Sequence, residues 1–462
     1  MHQSLGRLAT LTAVLFLVSA TAFAQSSLFT ALGTNNPSGL PDGVDGLYAA
    51  AVDRATLAAN PATLDVVLPG YGTVTADRFD FIPREGFDGN GDPLPGTEPE
   101  ELSFGWFGTS SDGFAVVLSA TEACTAGSMI GPGGSYSLML GTDPSSKIEH
   151  DHLLRETSGI VGEFDSPDAF SGWMPSLVGY NLLSAGVGVG QEDFPEVGVT
   201  NVGVVVGYTA QARDDAGSGN LAIRCLIQKT IDESNLGFTL SGTRVRLELR
   251  HAGLLTTFTE SGLSSTDRNN LRVNAEGQGL RATHGGDVLS VFVGNRATSG
   301  YSGIAYTQRK DCGDFSPIPG CDVGPSFAPW ALHLVAVDRA RDLPVVMHEV
   351  SHNLGGEHHF VEGVGIPRDR ASFPFAYAFE GPTFQTVLGG LSSKLRLIYL
   401  SSPLLSYQGT TLGVAGESHN AWVMDHLGMV VSHYYEPRGV NLFFDGFETG
   451  DLIAWSGADG AE

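Results

Sequence analysis

Positive charge is scarce in this chain. Only 25 Lys and Arg stand against 51 Asp and Glu in 462 residues, a formal net charge of −26. The surrounding field repels phosphate backbones and anionic lipid surfaces, so nucleic acid is excluded as a natural partner. Long apolar runs are also missing. The run from Leu8 to Val18 is too short to cross about 30 Å of hydrocarbon, and no later uninterrupted stretch reaches about 18 residues. Cysteine is rare, four in all, and at 462 residues size alone excludes a disulfide-stapled mini-fold. The G-x-S-x-G turn that mounts a nucleophilic serine in α/β-hydrolases is absent as well.

What is present is a folded, Gly-rich chain: 42% hydrophobic residues and 61 Gly imply many tight turns and exclude an extended coiled coil. The first residues read as an export signal, with Arg7, the Leu8 to Val18 run and Ala22-Phe23-Ala24 as the cleavage site, so residues 1–24 form the signal peptide of a secreted protein. From 25 to 195 short strand-like runs alternate with turns, including Leu64 to Leu68, Leu102 to Phe107, Phe114 to Leu118 and Ser135 to Leu140. The Gly186 to Gly190 run lacks a following basic residue and helix start, and is read as a connector rather than a phosphate loop.

From 196 to 437 strands interleave with helices, which predicts an α/β fold. Val202 to Tyr208, Val245 to Leu249, Val288 to Val293 and Leu332 to Val337 read as strands. Ile223, Leu226, Ile227, Thr230 and Ile231 make one helical stripe, and Val423, Leu427, Val430, Val431 and Tyr434 mark a closing helix. Residues 438–462 form an acidic and aromatic tail.

The chemistry concentrates in Met347-His348-Glu349-Val350-Ser351-His352-Asn353-Leu354-Gly355-Gly356-Glu357-His358-His359. Asp342 is the expected cap of a helix running to Leu354, with Pro344 in its first turn. His348 and His352, four apart, share one face and can hold a single ion. Glu349 beside them is placed to take a proton from an activated water rather than to ligate the metal. Gly355 stops the helix, and the reversal lets His358 approach as third ligand, with His359 as its competitor. Three neutral imidazoles leave one coordination position open, the mark of a catalytic rather than a structural Zn2+ site.

The run His348 to His359 resembles the HExxHxxGxxH signature of metzincin zinc proteases, and its wider context resembles their reprolysin-like, adamalysin-type bacterial secreted branch. That resemblance covers about Asn201 to Tyr435. It implies a mixed twisted sheet with an active-site helix, a secreted zinc-dependent endopeptidase, and an edge strand Gly303-Ile304-Ala305-Tyr306 that pairs with extended substrate. The family's turn beneath the metal carries a methionine; Leu388 of Thr386-Val387-Leu388 stands in that place here. The N-terminal half resembles a β-rich propeptide, at Trp106-Phe107-Gly108 and Gly134-Ser135-Tyr136, and is implied to inhibit the precursor. A catalytically inactive exported binding or adhesion protein is the alternative suggested by Leu388, and an amidase with the same ligands is a third.

Cys312 and Cys321 bracket a Gly/Pro loop and form a candidate disulfide, with two free thiols as the alternative. Cys225 is read as a buried helix residue, and Cys124 as a buried or paired thiol or a zinc-displacing one. His150, Asp151 and His152 are a minor polar cluster. His251, His284, His333, His419, His426 and His433 lack metal-type spacing and are read as structural. Acidic loops leave room for Ca2+ without singling out a site.

Overall fold

A computed structural model describes residues 26–32, 45–88, 93–121, 124–132, 134–140, 152–157, 198–217, 219–261, 264–294, 302–310, 323–361, 366–390 and 394–435. The signal segment, the Gly186 to Gly190 connector, His150, Asp151, Cys312, Cys321 and the C-terminal tail lie outside these residues.

The N-terminal half is one sheet. Its strands are β1 (Ser26–Ser27), β2 (Phe29–Leu32), β3 (Gly46–Val52), β4 (Thr63–Leu68), β5 (Gly72–Pro83), β6 (Phe104–Ser110), β7 (Ala115–Thr121), β8 (Cys124–Gly131), β9 (Gly134–Leu140) and β10 (His152–Thr157), with the short helix α1 (Arg54–Ala58) after β3. They lie in the order β1-β4-β5-β6-β7-β8-β9-β10-β3-β2. From β4 to β10 each strand pairs antiparallel with the next in sequence, the pattern short turns produce. The long, mostly polar β5 was not anticipated, because it shows little apolar alternation to betray a strand.

Strands β6 to β9 bury both faces. Phe104, Trp106, Val116, Leu118, Met129 and Leu138 point into the sheet's own core. The residues between them, Phe107, Ala115, Val117, Cys124, Ala126, Ile130 and Met139, belong instead to the core of the second half. Side chains alternate along a strand, so two apolar sets mean two covered faces.

The covering element is α3 (Gly219–Leu240), which follows β11 (Thr200–Tyr208) and α2 (Ala210–Ala216). The expected stripe of Ile223, Leu226, Ile227 and Ile231 is buried, but so are Cys225, Lys229, Asp232 and Glu233 on other faces. A helix buried all round must pair its charges internally. Lys229 Nζ meets Glu233 at 3.1 Å and donates to the carbonyls of Ala340 and Arg341 at 3.3 and 3.0 Å. Asp232 receives Arg84 from the N-terminal half. Burial pushes the Asp232 carboxyl above its ordinary range while the guanidinium opposes that shift. Cys225 is also not simply buried, as expected, but bonded to Cys124 of β8, with Cα atoms 6.3 Å apart. The two lie 101 residues apart, and only the docking of sheet on helix makes them neighbours.

The second half is completed by β12 (Val245–Leu254), α4 (Ser264–Val273), α5 (Ala275–Thr283), β13 (Val288–Val293), β14 (Gly303–Ala305), β15 (Leu332–Ala336), α6 (Val337–Asp342), α7 (Val345–Asn353) and α8 (Asn420–Val431). Its sheet runs β12-β11-β13-β15-β14, parallel except for β14, which is the antiparallel edge. Helices α4 and α5 were not anticipated, because their exposed polar faces hide the helical period.

Candidate metal centre and active site

Asp342 does not cap the active-site helix. It ends α6, Leu343 follows in extended backbone, and Pro344 itself is the cap of α7. The cause is local: a residue before proline is pushed out of the helical region, so the two helices cannot fuse. At the other end Gly355 takes φ +84°, the left-handed turn that glycine enters without strain. The loop beyond is held by Glu357, whose N–H donates to Ala376 and whose carbonyl accepts from Ala378, at 2.7 and 3.0 Å.

That reversal brings His358 to the helix. The Nε2 atoms of His348, His352 and His358 stand 3.1 Å from one another in all three pairs. His348 and His352 are buried, and His358 is half-buried with its ring nitrogen turned inward. Adjacent His359 is exposed and directs Nδ1 toward the Ala378 carbonyl.

Carbonyls settle two tautomers. His348 Nδ1 lies 2.8 Å from the Val387 carbonyl and His352 Nδ1 2.8 Å from the Gly356 carbonyl. A carbonyl only accepts, so each Nδ1 carries the proton and each Nε2 presents a lone pair to the shared space. Burial pushes the His352 imidazole down to about 4 and holds His348 and His358 well below their ordinary value, with neighbouring imidazoles adding to the effect on both. Neutral rings whose lone pairs converge fit a divalent cation. The 3.1 Å separations are close to the edge of about 3.3–3.4 Å in a tetrahedron with metal–nitrogen bonds of about 2.0–2.1 Å. Among the described residues this is the cluster of His, Cys, Asp and Glu that could hold a metal ion.

Glu349 is fully buried, and its carboxylate packs against Gly303, where a Cβ would collide with it. A side chain at 303 would therefore displace the carboxylate. Of the expected shelf, Gly303, Ile304 and Ala305 form β14, and Tyr306 continues it. Ser302 accepts from Ala336 and Tyr306 donates to Leu332, so antiparallel alternation turns the backbone groups of Gly303 and Ala305 to the open side.

Leu388 is fully buried, with Cδ1 2.6 Å from where a Gly356 Cβ would stand, and Met424 of α8 approaches the same point at 3.0 Å. The floor beneath the helix terminus is thus shared by leucine and a methionine from elsewhere in the chain. Val387, whose carbonyl receives His348, also accepts from Arg396 Nη1 at 2.8 Å.

Sequence reasoning missed the stitching around the helix. Asn353 Nδ2 donates to the carbonyls of Tyr306 and Leu332 at 2.8 and 3.2 Å, while its Oδ1 accepts from His333 Nδ1 at 2.8 Å. One amide ties α7 to β14 and β15. Burial lowers His333 to about 4, so it serves as a neutral donor. Arg309 grips Glu357 through two nitrogens, at 2.5 and 3.0 Å, one residue before His358. Only the local polarity of Asn353 next to His352 signalled any of this.

Helix and reversal bring an imidazole triad that could hold a metal ion beside a buried glutamate and the edge strand β14. Residues 226–359 match the model of the Metallo-peptidase family M12B Reprolysin-like group. The chain is similar to a peptidyl-Asp metalloendopeptidase of Stenotrophomonas maltophilia (strain R551-3), with 26% identity over 69% of this chain and 70% of that protein. It is also similar to the enzyme so named from Xanthomonas campestris pv. campestris, with 28% identity over 48% of each chain. Among solved structures it matches metalloproteinase-II from Bacteroides fragilis at 12% identity and a TM-score of 0.39, over 82% of this chain and 95% of that one. Residues 226–359 thus carry a reprolysin-like metallopeptidase match, and the chain is a metalloendopeptidase.

Proposed function

We propose that the chain is exported and cleaves peptide bonds with one zinc ion held by His348, His352 and His358, Glu349 acting as general base and then acid. The observation that carries this reading is the mutual 3.1 Å spacing of three imidazole nitrogens with Glu349 beside the edge strand. When bound, the ion supplies Lewis acidity at the scissile carbonyl. The chain's own residues do the rest. β14 offers the outward backbone groups of Gly303 and the Ala305 N–H to an extended peptide, which fixes the scissile bond beside Glu349. Glu349 takes a proton from the attacking water and returns it to the leaving nitrogen. The Val387 and Gly356 carbonyls hold the His348 and His352 imidazoles in one orientation.

The name of the relatives supports extending to this chain a preference for aspartate-containing peptides. Export rests on the leader-like first 24 residues. Latency imposed by the N-terminal half belongs to the same proposal, α3 and the Cys124–Cys225 bond being the contacts that hold that half in place. The test is cleavage of an unfolded protein by the purified secreted form, with and without chelator, alongside Glu349→Ala. Turnover should fall by about 10²–10⁴ in the variant while metal content stays at wild-type level. Cleavage at the wild-type rate by Glu349→Ala would refute the assignment.

A further inference from the structure

Two arginines of α4 stand beside the open edge of the sheet. Arg268 Nη1 donates to the Ala305 carbonyl at 2.6 Å, one of the groups that alternation turns outward, and its Cζ lies 4.1 Å from the Tyr306 ring centroid. Arg272, one helical turn on, lies 4.3 Å from the ring centroid of Trp330, which meets Tyr306 edge-on at 5.1 Å. Tyr306 is fixed in turn by its hydroxyl, which donates to Asn269 at 2.5 Å. The nearest acidic residue in sequence, Asp267, is committed to the Ser261 N–H.

Among the described residues neither arginine has a carboxylate in ion-pair range, and Arg268 Nε is buried without an acceptor. Like charges four apart on a helix destabilise it unless something answers them. A chain of net charge −26 has abundant carboxylates with which to neutralise such a pair, yet leaves two guanidiniums stacked on aromatic faces at its substrate shelf. Stacking fixes the planes and leaves in-plane donors for a planar anion.

We infer that Arg268 and Arg272 form a subsite for acidic side chains of the bound peptide, Arg268 being the specificity-determining residue. The inference rests on the endopeptidase reading and adds the position. Ala305 lies two residues along β14 from Gly303, where Glu349 sits, or about 6.6 Å at strand rise. The acidic side chain therefore belongs about two residues from the scissile bond, on the shelf side that leads toward Tyr306.

The experiment is a synthetic peptide series with Asp, Asn or Lys substituted at each position around one cleavage site. kcat/KM is measured for the wild type, Arg268→Gln, Arg268→Lys and Arg272→Gln. Wild type should favour Asp over Asn by roughly tenfold or more at that position, and the ratio should shrink as salt rises. Arg268→Gln should bring the ratio to within about threefold, with Arg268→Lys between the two. Retained metal content shows that the variants are folded. Anisotropy of the same peptides on Glu349→Gln reads the ratio without turnover, so loss of the enzymatic reading and loss of this one are separable. A wild-type ratio near one, or a ratio untouched by both glutamine substitutions, overturns the inference.

Discussion

The N-terminal sheet and the catalytic half are held together by different means. In the first, neighbouring strands follow one another in sequence, and backbone ladders with apolar faces do most of the work. In the second, the active-site loops carry little regular structure and are fastened by single side chains reaching distant backbone: Asn353, Arg396, Gln308 and the Arg309–Glu357 pair. Ladders tolerate side-chain change because their bonds are backbone bonds. Side-chain stitches concentrate the order of a site in a few residues, and each is exposed to a single substitution. One residue of the N-terminal half follows the second pattern: Arg54 of α1 donates to the carbonyls of Pro99, Leu102, Thr121 and Cys124 and ties the β5–β6 connection to the ends of β7 and β8.

The sharpest way to break the comparison is at the seam, where the two halves share one core. Replacing Cys124 and Cys225 together by serine removes a bond that closes a long loop, and should lower the unfolding free energy by about 2–5 kcal/mol. Because Phe107, Val117 and Ile130 lie in the same core as α3, both halves should still unfold in a single transition, which calorimetry and hydrogen exchange can follow. Two separate transitions in the unaltered protein would show that the halves are independent.

Smaller effects should come from the stitches. Asn353→Ala leaves His333 Nδ1 and the Tyr306 carbonyl without this partner, and the Leu332 carbonyl with the Tyr306 N–H alone. The expected loss is about 1–3 kcal/mol in denaturant unfolding, with a disproportionate drop in turnover because α7 loosens from β14.

The smallest effect is at Glu276, in the first turn of α5. Burial alone would raise its carboxyl, but bonds from the backbone and hydroxyls of Thr256 and Thr257 outweigh it and hold it at about 2. A depressed carboxylate stabilises the fold above its unfolded value of 4.5, and that contribution disappears as pH falls from 4.5 toward 2. Glu276 is largely exposed, so Glu276→Gln should flatten the stability profile in that window by less than about 1 kcal/mol. A profile that stays equally steep would assign the dependence to other groups.

These differences also explain what could be read from the sequence. The strands at Leu64 to Leu68 and Val288 to Val293 and the helix through Ile223 announce themselves by period and apolarity, and the structure places strands or a helix there. The motif fixes His348, Glu349 and His352 on one helix because three residues within five positions leave little geometric freedom. His358 needed the positive φ of Gly355, which glycine makes legible. Long-range pairings left no local trace: Cys124 with Cys225, Arg84 with Asp232, Asn353 with His333, Arg268 with Ala305. The two-sided burial of β7, Ala115-Val116-Val117-Leu118, did leave one, a continuous apolar run where a one-sided strand would alternate.

The most direct test of the account is the metal content of the purified protein beside that of His358→Ala and His359→Ala. One zinc ion per chain is predicted for the wild type and for His359→Ala, and its loss for His358→Ala. Zinc retained by His358→Ala, or lost from His359→Ala, would contradict the site described for this chain.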